Sequence, residues 1–332
     1  MKACRRPTDA GPGRAAFLAR IAVSAGLLGL LVAFVDRGRL IDRFATADAR
    51  FLVLVLGLAT VDRLLMASKW WLLIRGRDAA VSLWTATRAY YLASFTGYFL
   101  PMTLGADAVR IAALSGGGRT AGLIASVVLE RVVGALAQAV LATVALGALI
   151  ALGLGARLGP AERWAIGGLV VAAFLMFPLS FRLAARLTAR LGRQTGWSAK
   201  LGGLTAAYAA YASSLGLIAL FFGLTLVEGT FPVAIHYLAG RALGLDPGWT
   251  FYIATVPIVF LLARLPVSLG GLGFVELSFV SLAGLLGVGW TDAFSIAGLA
   301  TALYLVALVP GAILYLWPAP DPLPAPPHER LP

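Results

Sequence analysis

The chain is 332 residues long, 60% apolar and only 13% charged, with a formal net charge of +12 and a mean hydropathy of +0.89. A soluble domain is nearer half apolar and a quarter charged, so this composition excludes a water-soluble fold and calls for a bilayer as solvent. The basic excess lies between apolar stretches, where it serves membrane topology rather than nucleic acid. A single cysteine, Cys4, excludes an intrachain disulfide, and two histidines, His236 and His328, cannot make a usual zinc site.

Windows of apolar residues recur from Phe17 to Trp317. Each is long enough to cross a ~30 Å hydrocarbon core, and together they predict an all-α polytopic membrane helix bundle of about seven to nine spans. A first span covers about Phe17 to Val35; no small-residue cleavage site follows it, so it is expected to remain uncleaved. A second span covers Arg50 to Ile74, and a broken segment follows from Trp84 to Leu114. Next come Leu123 to Leu152, Trp164 to Phe181, Leu204 to Val227 and Phe231 to Leu245. A second broken region covers Phe251 to Gly287, and a last span covers Ala293 to Trp317. The membrane domain is thus assigned to residues 1–317. The remainder, Pro318 to Pro332, holds seven prolines and is expected to be a disordered, extended tail.

Charge sets the expected orientation. The N-terminus carries Lys2, Arg5, Arg6, Arg14 and Arg20, and Arg182, Arg186, Arg190, Arg193 and Lys200 follow Phe181 without an acid among them. Both groups are expected on the cytoplasmic side of a cell (inner) membrane. The stretch from Asp36 to Arg50 mixes signs and suits the opposite side. These assignments agree only if the segment from Trp84 to Leu114 enters and leaves on one side, as a re-entrant hairpin or helix pair. Seven of the eight tryptophans fall near span ends, as an aromatic belt requires.

The two broken segments resemble each other. Residues 100–110 read LPMTLGADAVR and residues 265–276 read LPVSLGGLGFVE, with Pro101 and Pro266 lying 165 positions apart in the 332-residue chain. Proline removes a helical donor and glycine loosens the backbone, so each segment must break. Broken backbone at membrane depth survives only inside protein or beside a wet cavity, and a matched pair in two halves of a chain points to a transporter's substrate site. Ionisable residues in apolar surroundings mark the same region. Asp107 and Arg110 follow the first break, and Arg264 and Glu276 flank the second. Glu130 and Arg131 lie inside a span in which Glu130, Gly134 and Gln138 share one helical face. In the second span Asp62 and Lys69 are seven apart and are expected to neutralise each other. His236 is expected to be a packed, hydrogen-bonded residue.

The order K-W-W-L-L (69–73), Y-F-L-P-M-T-L-G-A-D-A-V-R (98–110), E-R (130–131) and R-L-P-V-S-L-G-G-L-G-F-V-E (264–276) resembles the flippase-like membrane domain of the lysylphosphatidylglycerol synthases and their stand-alone relatives. Its strongest piece is P-x-S-x-G-G-x-G-x-x-E, carried by Pro266, Ser268, Gly270, Gly271, Gly273 and Glu276. The first box, Gly105-Ala106-Asp107, departs slightly from the paired small residues usual before the acid. The resemblance implies a domain that moves or positions a lipid between leaflets. With Pro332 following the last span so closely, no soluble synthetase domain and no aminoacyl transfer are expected.

The expected substrate-binding set is therefore Pro101, Gly105, Asp107, Arg110, Glu130, Arg131, Arg264, Pro266, Ser268, Gly270, Gly271, Gly273 and Glu276. The arginines would hold an anionic headgroup, while Glu130 and Glu276 would hold its cationic part or order the arginines. No catalytic residue, metal or cofactor is expected, and no nucleotide-binding P-loop occurs, so movement would be downhill, ion-coupled or driven by a partner. The first reading is a lipid translocase. The alternatives are an intramembrane lipid or glycosyl transferase with Asp107 or Glu130 as base, and an accessory subunit of a lipid-synthesis enzyme. The expected partners are a membrane lipid and such an enzyme, with no nucleic acid.

Overall fold

The computed structural model describes residues 12–76, 80–97, 105–116, 118–151, 153, 158–191, 195–265 and 271–316. Every regular element among them is helical, as the composition requires of a membrane chain that must satisfy its own backbone. The expected tail, and Pro101, Pro266, Ser268 and Gly270, lie outside the described residues.

Helix α1 (Pro12–Ala33) is followed, after a 92° turn, by α2 (Arg37–Ala45). Asp36 caps α2 by accepting from the Arg39 N–H at 3.1 Å, and Asp48 caps α3 (Ala49–Arg75) by accepting from the Arg50 N–H at 2.8 Å. The chain continues through α4 (Leu83–Gly97), α5 (Gly105–Leu114), α6 (Thr120–Ala151), α7 (Pro160–Leu191) and α8 (Trp197–Ala209). It ends through α9 (Leu215–Ala242), α10 (Trp249–Leu262), α11 (Phe274–Leu285), α12 (Trp290–Val306) and α13 (Val309–Leu316). Hydroxyl groups inside these helices return to the preceding turn; Thr60, Ser68, Thr225 and Thr255 each donate to the carbonyl four residues back, which satisfies them in an apolar medium.

Among the described residues, five stretches are long and apolar enough to cross a bilayer: α3, α6, α7, α9 and the run Trp290–Leu316. A sixth is added if the bent pair α1/α2 counts as one. The expected seven to nine also counts the broken regions, and two physical features account for the difference. The expected spans Leu204 to Val227 and Phe231 to Leu245 are not separate, because α9 runs unbroken through Pro232. A proline inside a helix costs one hydrogen bond and crowds one turn, which packing neighbours can absorb. The broken regions, in turn, consist of helices of 15, 10, 14 and 12 residues. At 1.5 Å per residue these reach about 15–23 Å, each short of the core thickness.

Both broken regions fold back as packed pairs, α4 against α5 and α10 against α11. Gly97 makes the first pair possible, since a Cβ there would stand 3.2 Å from the Ala106 Cα. Helix α10 is buried nearly all round, from Tyr252 to Val259, as expected of a helix apolar on every face. It packs against α6, α9 and α11 and forms the centre of the largest apolar cluster. His236 on α9 is buried there; its Nδ1 meets the Pro232 carbonyl at 2.7 Å and its ring contacts Phe260 and Phe279. That is the packed role the sequence suggests.

Candidate functional site: a charged cavity between the broken helices

A cavity of about 200 Å³ opens among α3, α4, α5, α6, α9 and the residues just after α10. Its lining carries Lys69, Arg110, Arg131 and Arg264 against Asp107, Glu130 and Glu228. Four cations against three carboxylates leave one formal positive charge.

Arg110, the second-turn arginine of α5, is 4% exposed. Its guanidinium lies between the rings of Trp70 and Tyr90, 4.8 and 5.2 Å from their centroids. Nη2 donates to Asp107 Oδ1 at 2.7 Å, one turn back on the same helix, and Nη1 pairs with Glu130 Oε2 on α6 at 2.7 Å. Arg131, on the next position of α6, reaches the other Asp107 oxygen, donating from Nε at 2.6 Å. Asp107 is thus clasped by two arginines, and Glu130 holds one of them in place. These contacts knit α5 to α6. Glu130 also stands 3.5 Å from the Tyr90 hydroxyl, which ties in α4.

Lys69 closes the opposite wall. It is 2% exposed, its Nζ donates to Glu228 Oε2 at 2.9 Å and to Thr225 Oγ1 at 3.2 Å, and it stands over the Phe221 ring. The expected pairing of Lys69 with Asp62 is corrected by this geometry. Asp62 instead accepts from its neighbour Arg63 at 2.6 Å, and Arg63 stacks on Tyr304. Sequence spacing along one helix favours Asp62; the fold supplies a nearer acid from α9.

Arg264 differs from the other cations. It sits just past α10, is exposed to the cavity, and donates to the Gly134 carbonyl at 3.3 Å. Among the described residues it has no carboxylate partner. Gly134 gives it room, since a Cβ there would come within 3.2 Å of Nη1. The expected polar face of α6 is therefore real: Glu130 and Gly134 face the cavity, and Gln138 donates to the Pro257 carbonyl of α10 at 2.8 Å.

Of the expected site residues, Asp107, Arg110, Glu130, Arg131 and Arg264 meet in this cavity. Gly105 begins α5, one position before the lining residue Ala106. Gly271 and Gly273 adopt φ of +86° and +79° in the turn leading to α11. Glu276 lies in the first turn of α11 and is not part of the lining. Its Oε2 accepts from the Gly273 N–H at 2.7 Å and its Oε1 from Thr301 at 2.6 Å, so it fastens the α11 start to α12. Lys69 and Glu228 belong to the cavity but not to the expected set. An acid within the apolar run Leu215–Ala242 was the available signal for Glu228.

The family model described as lysylphosphatidylglycerol synthase TM region matches residues 17–311. The chain belongs to this family. Membership places the lysylphosphatidylglycerol synthase TM-region chain among membrane proteins of lipid metabolism, and the match covers every element that lines the cavity. No match was found among curated proteins or among solved structures.

Proposed function

We propose that this chain is a lipid translocase whose cavity receives an anionic headgroup while the acyl chains stay in lipid. The observation that carries the reading is Arg264, a guanidinium facing a charge-lined cavity with, among the described residues, only the Gly134 carbonyl as its hydrogen-bond partner. The cavity adjoins both broken helix pairs, since Ala106 and Asp107 follow one break and Arg264 precedes the other. In this reading Arg264 takes the headgroup phosphate, and Glu130 and Asp107 hold Arg110 and Arg131 oriented around it. The proposed setting is the cell (inner) membrane with the N-terminus cytoplasmic, and a lipid-synthesis enzyme is the class of partner that would supply the substrate.

The test is headgroup movement in reconstituted vesicles carrying a reporter-labelled anionic phospholipid. A hydrogen bond to a charged group contributes about 1.5–3 kcal/mol, so Arg264→Gln should slow movement about 10- to 100-fold while insertion and elution stay unchanged. Movement at the unmodified rate would remove Arg264 from the mechanism and the reading with it.

A further inference from the structure

Helix α7 carries a second lipid-facing feature, independent of the cavity. It has 32 residues, about 48 Å at 1.5 Å per residue, whereas the hydrocarbon core is ~30 Å thick. The apolar stretch from Trp164 to Phe181 uses most of that thickness, so α7 from Arg182 onward must emerge among headgroups. Arg182, Arg186 and Arg190 follow at four-residue steps and are all exposed. Leu175, Leu179 and Leu183 are exposed as well, at 61%, 57% and 54%. At 3.6 residues per turn these six side chains fall within an arc of about 100° on one helix face. Leu175 and Leu179 lie at core depth, Leu183 stands level with Arg182 at the boundary, and Arg186 and Arg190 lie beyond it, which is the amphipathic profile of a phospholipid seen from the side.

Helix α8 packs against the other side of α7, where Thr188 meets Thr205 and Ser180 meets Tyr208, and so leaves the arginine–leucine face open. Trp197, at the start of α8, is 78% exposed, a residue type that favours the membrane interface, which agrees with α7 emerging at this level. No acid occurs between Glu162 and Glu228, and among the described residues none of these three arginines has an ion-pair partner. Topology alone requires positive charge on one side of the membrane. It does not require the charges to share a face with a leucine stripe at phosphate depth.

We infer that the exposed face of α7 is a docking site for anionic phospholipid, with phosphates on Arg182, Arg186 and Arg190 and acyl chain along the three leucines. Purified protein in detergent, given equal phosphatidylglycerol and phosphatidylcholine, tests this by the ratio of the two lipids retained in native mass spectrometry. Each interfacial cation contributes about fivefold in anionic-lipid binding. Wild type should therefore favour phosphatidylglycerol, and the R182Q/R186Q/R190Q variant should lose about tenfold or more of that preference. R182K/R186K/R190K should keep it, because the charges remain. At about 1 M ionic strength, where the Debye length is about 3 Å, the wild-type preference should also fall; this arm needs no variant to fold. An unchanged ratio in the glutamine variant, or at high salt, overturns the proposal. So does an acidic protein captured by wild type and lost from the glutamine variant while the lipid ratio stays the same.

Discussion

At the scale of single residues, the cavity is held by ion pairs that cannot lose a member cheaply. Arg110 is buried with two carboxylates and two aromatic rings. Removing one partner of such a pair strands a charge away from water and costs about 3–5 kcal/mol. Arg110→Ala should therefore lower the melting temperature strongly, and so should Lys69→Ala, which strands Glu228. The double exchange Lys69→Met with Glu228→Leu removes both charges and should melt close to wild type. Thermal unfolding in detergent checks all three, and an unperturbed Lys69→Ala melt would mean that Lys69 is hydrated rather than paired. The sequence made these residues conspicuous, as charges in apolar surroundings, without disclosing their partners. Lys69 and Glu228 are 159 positions apart, and only the packing of α3 on α9 brings them together. Asp62, by contrast, is claimed by the adjacent Arg63, a local geometry that helix-face spacing does not anticipate.

At the scale of elements, both interruptions were legible from proline and glycine placement, because those residues act on the backbone directly. Their architectural use was less legible. Glu276 reads as a ligand-facing charge in the linear motif, yet its oxygens are occupied by Gly273 and Thr301. The motif's glycines are better explained by geometry. Gly273 has φ +79°, and a Cβ there would lie 2.9 Å from the Leu27 Cβ and 3.0 Å from the Ser24 carbonyl oxygen of α1. Gly287 also has positive φ, +89°, but open space around it. Gly273→Ala should therefore destabilise by about 2–4 kcal/mol, strain and collision together, whereas Gly287→Ala should cost about 1 kcal/mol from strain alone. Equal losses in thermal melts of the two variants would show that α1 yields freely at the contact.

At the scale of the whole molecule, composition was enough for a helical membrane bundle, since 13% charge leaves no other solvent for so much apolar surface. Span count was not, because it depends on whether a given proline interrupts or merely bends a helix. The proposed orientation rests on the basic N-terminus, and the chain offers a direct probe in its single cysteine, Cys4. A membrane-impermeant maleimide should label Cys4 only after the cells are permeabilised; labelling of intact cells would overturn the proposed topology. The continuity of α9 has a mechanical corollary. Pro232 denies the Glu228 carbonyl its helical donor, so the rod is softest at the level of its one acidic side chain. Any flexing of α9 acts first on the Lys69–Glu228 link, which makes this lever the place where a change in shape and a change in cavity charge become one event.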